Sequence, residues 1–188
     1  MKKLLVLAAL SFSFAATAAD KYNIDPAHTS VVFKIGHMGF SNVYGMFSDV
    51  SGDFSLDEKD PAKSSMNLTI KTDSVDTKNA KRDEHLKKAD FFDAKLYPTI
   101  TFKSTAVKKT GDKTYEVKGE LTLHGKTKPV TLVLNRFRTG EDPMKKHRTG
   151  GETKFSIKRS DYGMNFMVGP EKVSDEVEIM VSLEGEKA

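Results

Sequence analysis

Tyr115-Glu116-Val117-Lys118-Gly119-Glu120-Leu121-Thr122-Leu123 decides the fold. Apart from Gly119, every second side chain is apolar, and the places between carry charges or a hydroxyl. A period of two belongs to a strand with one face buried and the other in water. Outward from this stretch the same alternation returns. Val31, Phe33 and Ile35 alternate with Val32, Lys34 and Gly36, and Met66, Leu68 and Ile70 with Asn67, Thr69 and Lys71. Ile100, Phe102 and Ala106 oppose Thr101, Lys103 and Thr105. Val130, Leu132 and Leu134 follow, then Thr153, Phe155 and Ile157, and last Val177, Ile179, Val181 and Leu183 against Glu176, Glu178, Ser182 and Glu184. Val43 to Leu56 adds a stretch whose two halves are out of phase, which a bulge or glycine kink near Ser48 to Ser51 reconciles. Eight strands result.

The connections are short. Gly111-Asp112 reads as a tight hairpin turn and His124-Gly125 as the opening of a slightly longer one. Pro129 cannot donate to a ladder and is expected at the start of its strand. Asp57 to Ser64 and Gly140 to Gly150 read as loops. One segment breaks the period: Lys78 to Lys88 lacks β-branched residues and places Asp83/Lys87 and Glu84/Lys88 four apart, the spacing that supports a helix. A short helix is expected there, between the third and fourth strands, with Phe91 and Phe92 folding over one end of the sheet.

Alternation alone also fits a two-sheet sandwich or an outer-membrane barrel turned inside out. The polar face carries Lys34, Lys71, Lys103, Glu116, Lys118, Glu120, Lys154, Lys158, Glu176, Glu178 and Glu184. An eight-stranded barrel holds little more than its own side chains, and unpaired buried ions cost several kcal/mol each, so these charges belong in water and the apolar face inside. Short connections favour an up-and-down antiparallel barrel, which removes sheet edges by closure. The fold class expected is all-β.

Lys2 and Lys3, the apolar run Leu4 to Ala16 and the small residues Ala16-Thr17-Ala18 read as a signal peptide over residues 1–18. Residues 19–188 are then one exported domain, long enough to bury about 70% of the surface its unfolded chain exposes. The chain has no cysteine, which excludes disulfides, thiolate metal sites and an acylated anchor. Thirty basic against 26 acidic side chains give a net charge of +4, which loss of Lys2 and Lys3 halves to +2. Lysines alternate with acids almost everywhere, so no basic stripe for nucleic acid forms.

Several stretches resemble the YceI-like family of periplasmic proteins. They are Tyr22-Asn23-Ile24-Asp25 with His28, Val31 to His37, Gly45-Met46-Phe47, and Ser74-Val75-Asp76-Thr77 with Arg82 to Leu86. Asp90 to Asp93, Tyr97-Pro98, Gly119 to Gly125 with Lys128-Pro129-Val130, and Lys158 to Gly163 complete the match. The resemblance implies a lipocalin-like barrel, located in the periplasm, with a hydrophobic tunnel for a polyisoprenoid or related long-chain amphiphile.

On this reading Phe33, Ile35, Phe47, Leu68, Ile70, Phe91, Phe92, Ile100, Phe102, Phe155, Ile157, Met164, Phe166 and Met167 form the apolar wall. Flexible methionines suit a chain-like guest. Ten buried methylenes at about 0.8 kcal/mol each give about 8 kcal/mol gross before association costs. His37, Arg82, Asp83 and His85 are the head-group candidates, an arginine suiting phosphate through its planar donor fork. A second reading of Arg82 and Asp83 stays open, in which they tie the helix to the barrel.

His28, His37, His85, His124 and His147 show no metal-ligand spacing, and no cofactor is implied. Lys145-Lys146-His147-Arg148 is a basic loop able to touch anionic head groups. Arg159-Ser160-Asp161 lacks the glycine-framed serine and adjacent histidine of a nucleophilic triad. The chain is therefore read as a lipid carrier or binding protein and not an enzyme, with a ligand-free structural or stress-related barrel as the alternative. Transient membrane contact and pairing as a homodimer stay open.

Overall fold

The computed structural model describes residues 19–188; the expected signal peptide lies outside the described residues. The chain runs through β1 (Asp20–Ile24), β2 (Ser30–His37), β3 (Ser41–Phe47), β4 (Val50–Leu56), β5 (Ser65–Lys71) and β6 (Val75–Asp76), then the helix α1 (Ala80–Leu86). It continues through β7 (Thr99–Lys109), β8 (Thr114–Leu123), β9 (Lys126–Glu141), β10 (His147–Lys158) and β11 (Val173–Lys187). Neighbouring strands pair antiparallel in the order β1-β4-β5-β7-β8-β9-β10-β11-β2-β3-β6, and β1 also pairs with β11, which closes the ring.

Three of the eight staves are broken. β1 and β2 succeed each other along β11, separated by a 3-10 turn at Pro26–His28 whose Ala27 amide is capped by Asp25. β3 and β4 run back beside them, and β5 and β6 beside those. The architecture is an all-β, closed, eight-stranded antiparallel barrel. The position of the helix is a correction. It follows β6 instead of standing between a third and a fourth strand, because three staves are each split in two and the short β1 has no run of alternation long enough to be read. Asn79 caps α1 by accepting from the Arg82 amide at 3.0 Å.

The kink in the stretch from Val43 to Leu56 lies between Phe47 and Val50, both buried, so the phase change keeps apolar side chains inward on either side. A bulge between Ser104 and Ala106 does the same in β7: it turns Ala106 outward, against expectation, and Val107 onto the core. The two turns exchange roles. His124 and Gly125, at φ 50 and 70, make the two-residue connection that suits strand twist, while residues 110–113 form the longer one. Pro129 lies inside β9, not at its start, in the part that pairs only with β8, where a missing donor costs no ladder bond. The expected loop Gly140 to Gly150 shrinks to residues 142–146 because β9 and β10 continue past their apolar positions.

The charges of the polar strand faces lie outside: Glu178 meets Lys34 at 3.2 Å and Lys154 at 2.8 Å across the outer face of β11. The buried residues are apolar apart from Asp57, Arg159 and four threonines.

Candidate functional site

The two ends of the barrel are filled differently. At the end where β1 closes the ring, Tyr22 stacks on Phe54 with centroids 5.0 Å apart, and both are buried with Tyr115 and Leu183. The Phe54 ring takes the space beside Gly185 where any other residue would place its Cβ. This end is closely packed. Toward the other end, where His37 faces Val173 across β2 and β11, the interior opens into an apolar cavity of about 350 Å³, within the usual range of roughly 300–1,000 Å³ for small-molecule sites.

All fourteen expected wall residues lie around this cavity. Alternation in β2, β5, β7 and β10 brings in Phe33 and Ile35, Leu68 and Ile70, Ile100 and Phe102, and Phe155 and Ile157. Phe47 enters from the end of β3, packed edge-on against Phe92 at 5.5 Å, and Phe92 meets Phe33 at 6.4 Å. Phe91, Phe166 and Met167 stand at the rim with Met164 buried behind them. Phe166 and Met167 remain more than a third exposed, so the mouth is ringed by apolar surface.

The polar candidates divide. His37, Arg82 and His85 line the cavity; Asp83 does not. Asp83 accepts from the amide of the buried Thr77 at 2.9 Å and from its hydroxyl at 2.5 Å. The Arg82 Nε donates to the Thr77 hydroxyl and its Nη2 to the Thr77 carbonyl, both at 2.7 Å. The pair therefore fastens α1 to the end of β6, the second of the two readings left open by the sequence. His85 bonds to Asp90 at 3.0 Å and joins Phe91 and Phe166 in an edge-to-face trio, with centroids 5.0 to 5.6 Å apart.

Arg159 is a cavity-lining residue that the sequence did not single out as a site candidate. It is 3% exposed and lines the cavity. Its guanidinium donates to the carbonyls of Ser174 and Met164 at 2.9 Å, Phe166 at 2.8 Å and Val173 at 3.2 Å. Burial draws its pKa below the ordinary guanidinium value, opposed by Asp175. One buried cation thus gathers both strands of the loop that carries Phe166 and Met167.

At the closely packed end Asp25, His28 and Glu184 converge closely enough to hold a metal ion, a grouping that sequence spacing hides because 156 positions separate His28 from Glu184. The Arg148 guanidinium already stands there, 2.6 Å from both Asp25 and Glu184. It supplies the positive charge a metal would bring.

Residues 22–185 match the model of the YceI-like domain. Protein YceI of Escherichia coli O157:H7 is 45% identical over 183 residues, which cover 96% of this chain and 94% of that protein. Among solved structures, BcnA of Burkholderia cenocepacia superposes with a TM-score of 0.74 at 29% identity, over 86% of this chain and 98% of that one. A domain from Saccharophagus degradans, described as polyisoprenoid-binding and implicated in plant cell wall breakdown, shares the fold with a TM-score of 0.70 at 18% identity, over 89% and 98% of the two chains. A family match across nearly all the described barrel, with a relative at 45% identity, leaves one assignment: the chain belongs to the YceI-like family.

Proposed function

We propose that this barrel holds a long-chain isoprenoid-type lipid, such as a polyprenyl phosphate, an isoprenoid quinone or a similar amphiphile, and carries it through the periplasm after residues 1–18 are removed as a signal peptide. The observation that carries the reading is the cavity: about 350 Å³ of space walled mostly by aliphatic and aromatic side chains inside a closed ring, with Phe91, Phe166 and His85 packed together at one end. Water gains few hydrogen bonds on such a wall, whereas each methylene of a guest gains about 0.8 kcal/mol. The polyisoprenoid-binding description of the Saccharophagus domain supports the choice of guest. His37 and His85 at the rim are the groups a polar head would meet first. The role is one of binding and not of catalysis.

Native mass spectrometry of protein purified without detergent tests the proposal. A retained long-chain amphiphile is the expected result. Apoprotein alone, with no uptake of offered polyprenyl or quinone lipids, would overturn it.

A further inference from the structure

A second, smaller space of about 60 Å³ lies beyond the main cavity, toward the closely packed end. Met66, Val117, Leu134 and Leu183 line both spaces, so one layer of side chains divides them. The four come from β5, β8, β9 and β11, and on each of these strands the residue is the last before the packed end to face the main cavity. Two positions farther along β8 and β9, Tyr115 and Arg136 line the smaller space, with Arg136 bonded to Glu58 and Thr139. Protein interiors seldom leave voids larger than a water molecule. Two spaces that share one thin partition are therefore a feature of this interior and not the common state of a core.

The members of the partition differ in how readily they give way. Val117 and Leu183 are buried, and a β-branched valine is stiff at χ1. Met66 is half-buried and lies opposite Phe54 across the β4–β5 ladder, where Phe54 lines the smaller space. Its amide is fixed to the Ser104 hydroxyl at 2.8 Å. Its backbone is thus held, while its flexible, unbranched thioether can repack around a neighbour. A guest whose polar head stays beside His37 and His85 sends its hydrocarbon end along Val177, Ile179 and Val181 to Leu183. That is about 20 Å of β11, at roughly 3.3 Å per residue.

We infer that Met66 sets the chain length of the guest. Its side chain is the stop against which the hydrocarbon end rests, and the smaller space is a terminal subsite that takes further carbons of a longer isoprenoid once that side chain is displaced. The inference rests on the lipid-holding reading and adds a selectivity for length to it.

Geraniol, farnesol and geranylgeraniol carry the same hydroxyl on isoprenoid chains of increasing length. Their dissociation constants, measured by displacement of a lipophilic fluorophore, are compared among the wild type, Met66→Ala and Met66→Phe. Met66→Ala joins the two spaces, and geranylgeraniol should gain about tenfold over farnesol relative to wild type, the scale of two methylenes brought out of water. Met66→Phe thickens the partition, and farnesol should lose about tenfold against geraniol on the same scale. Both substitutions disturb the core, so a role in packing alone would weaken all three alcohols together and leave their ratios unchanged. If Met66→Ala does not fold, Leu134→Ala opens the same partition from β9 and reads the same ratio. Unchanged ratios, or shifts toward the same length in both variants, with a wild type that binds the alcohols, overturn the length stop and leave the lipid-holding reading standing. A wild type that binds none of the three overturns both.

Discussion

The ring of Phe102 occupies the place beside Gly119 where any other residue would put its Cβ, so the cavity wall on β7 is seated directly against the backbone of β8. A Cβ there would also stand 2.6 Å from the Lys103 carbonyl, which is fixed in the β7–β8 ladder and cannot move aside like a flexible side chain. Gly119→Ala is expected to destabilise the barrel by about 1–3 kcal/mol through overpacking. A urea melt showing no loss would mean that Phe102 repacks into the cavity, and the cavity should then shrink.

Adjacent residues of the same strand separate the two faces. Phe102 is buried on the cavity wall, while Lys103 is exposed opposite Glu120. Phe102→Lys should abolish lipid uptake or folding, because it inserts an unpaired ammonium into an apolar interior. Lys103→Phe should leave the melting free energy within about 0.5 kcal/mol of wild type, as surface changes usually do. Equal behaviour of the two variants, in uptake and in melting, would contradict the assignment of faces.

Arg159 makes a different kind of prediction, since its partners are four backbone carbonyls. Arg159→Met keeps much of the bulk and strips the donors from carbonyls 164, 166, 173 and 174. The expected loss is about 3 kcal/mol or more. Hydrogen exchange should quicken in residues 163–174 before it does in β10. Arg159→Lys keeps the charge but not the planar fork, and should recover only part of the protection. Uniform acceleration over the whole barrel would show that Arg159 holds the fold and not the mouth.

The wall could be read in the sequence because a strand's period of two has one solution once the charged face is put in water: Phe33, Phe102 and Phe155 all follow from their charged neighbours Lys34, Lys103 and Lys154. Arg159 could not. A charged residue beside Lys158 and Asp161 has the signature of a surface loop, and its partners are backbone carbonyls, which leave no side-chain pattern. The far ends of β9 and β10 were hidden for a related reason. Arg136, Arg138 and Gly140 against Arg148 and Gly150 carry no apolar alternation, yet the ladder continues through a charged rim and not a greasy core. Asp83 was visible as part of a polar cluster, but spacing could not say that Thr77, six residues upstream, would take both of its bonds.

That charged rim gives the barrel a pH dependence of stability whose sign can be worked out. The hydrogen bond with His28, and then that from Arg148, hold Asp25 down to about 2, while Asp25 raises the pKa of His28. A carboxyl with a lowered folded pKa stabilises fully above its unfolded value, about 4, and loses that contribution as the pH falls toward 2. A histidine with a raised folded pKa stabilises fully below its unfolded value, about 6.5, and loses its contribution as the pH rises through the folded one. These two groups together favour the interval between about pH 4 and 6.5. Arg148→Ala leaves Asp25, Asp142, Glu184 and Glu186 facing one another without the guanidinium that each now touches. Its melting temperature should lie below wild type at pH 7, and the gap should close as the pH approaches 2, where protonated carboxyls no longer need a cation. Melts at low salt across that range check the claim, and an offset that stays constant with pH would show that Arg148 acts by packing and not by charge.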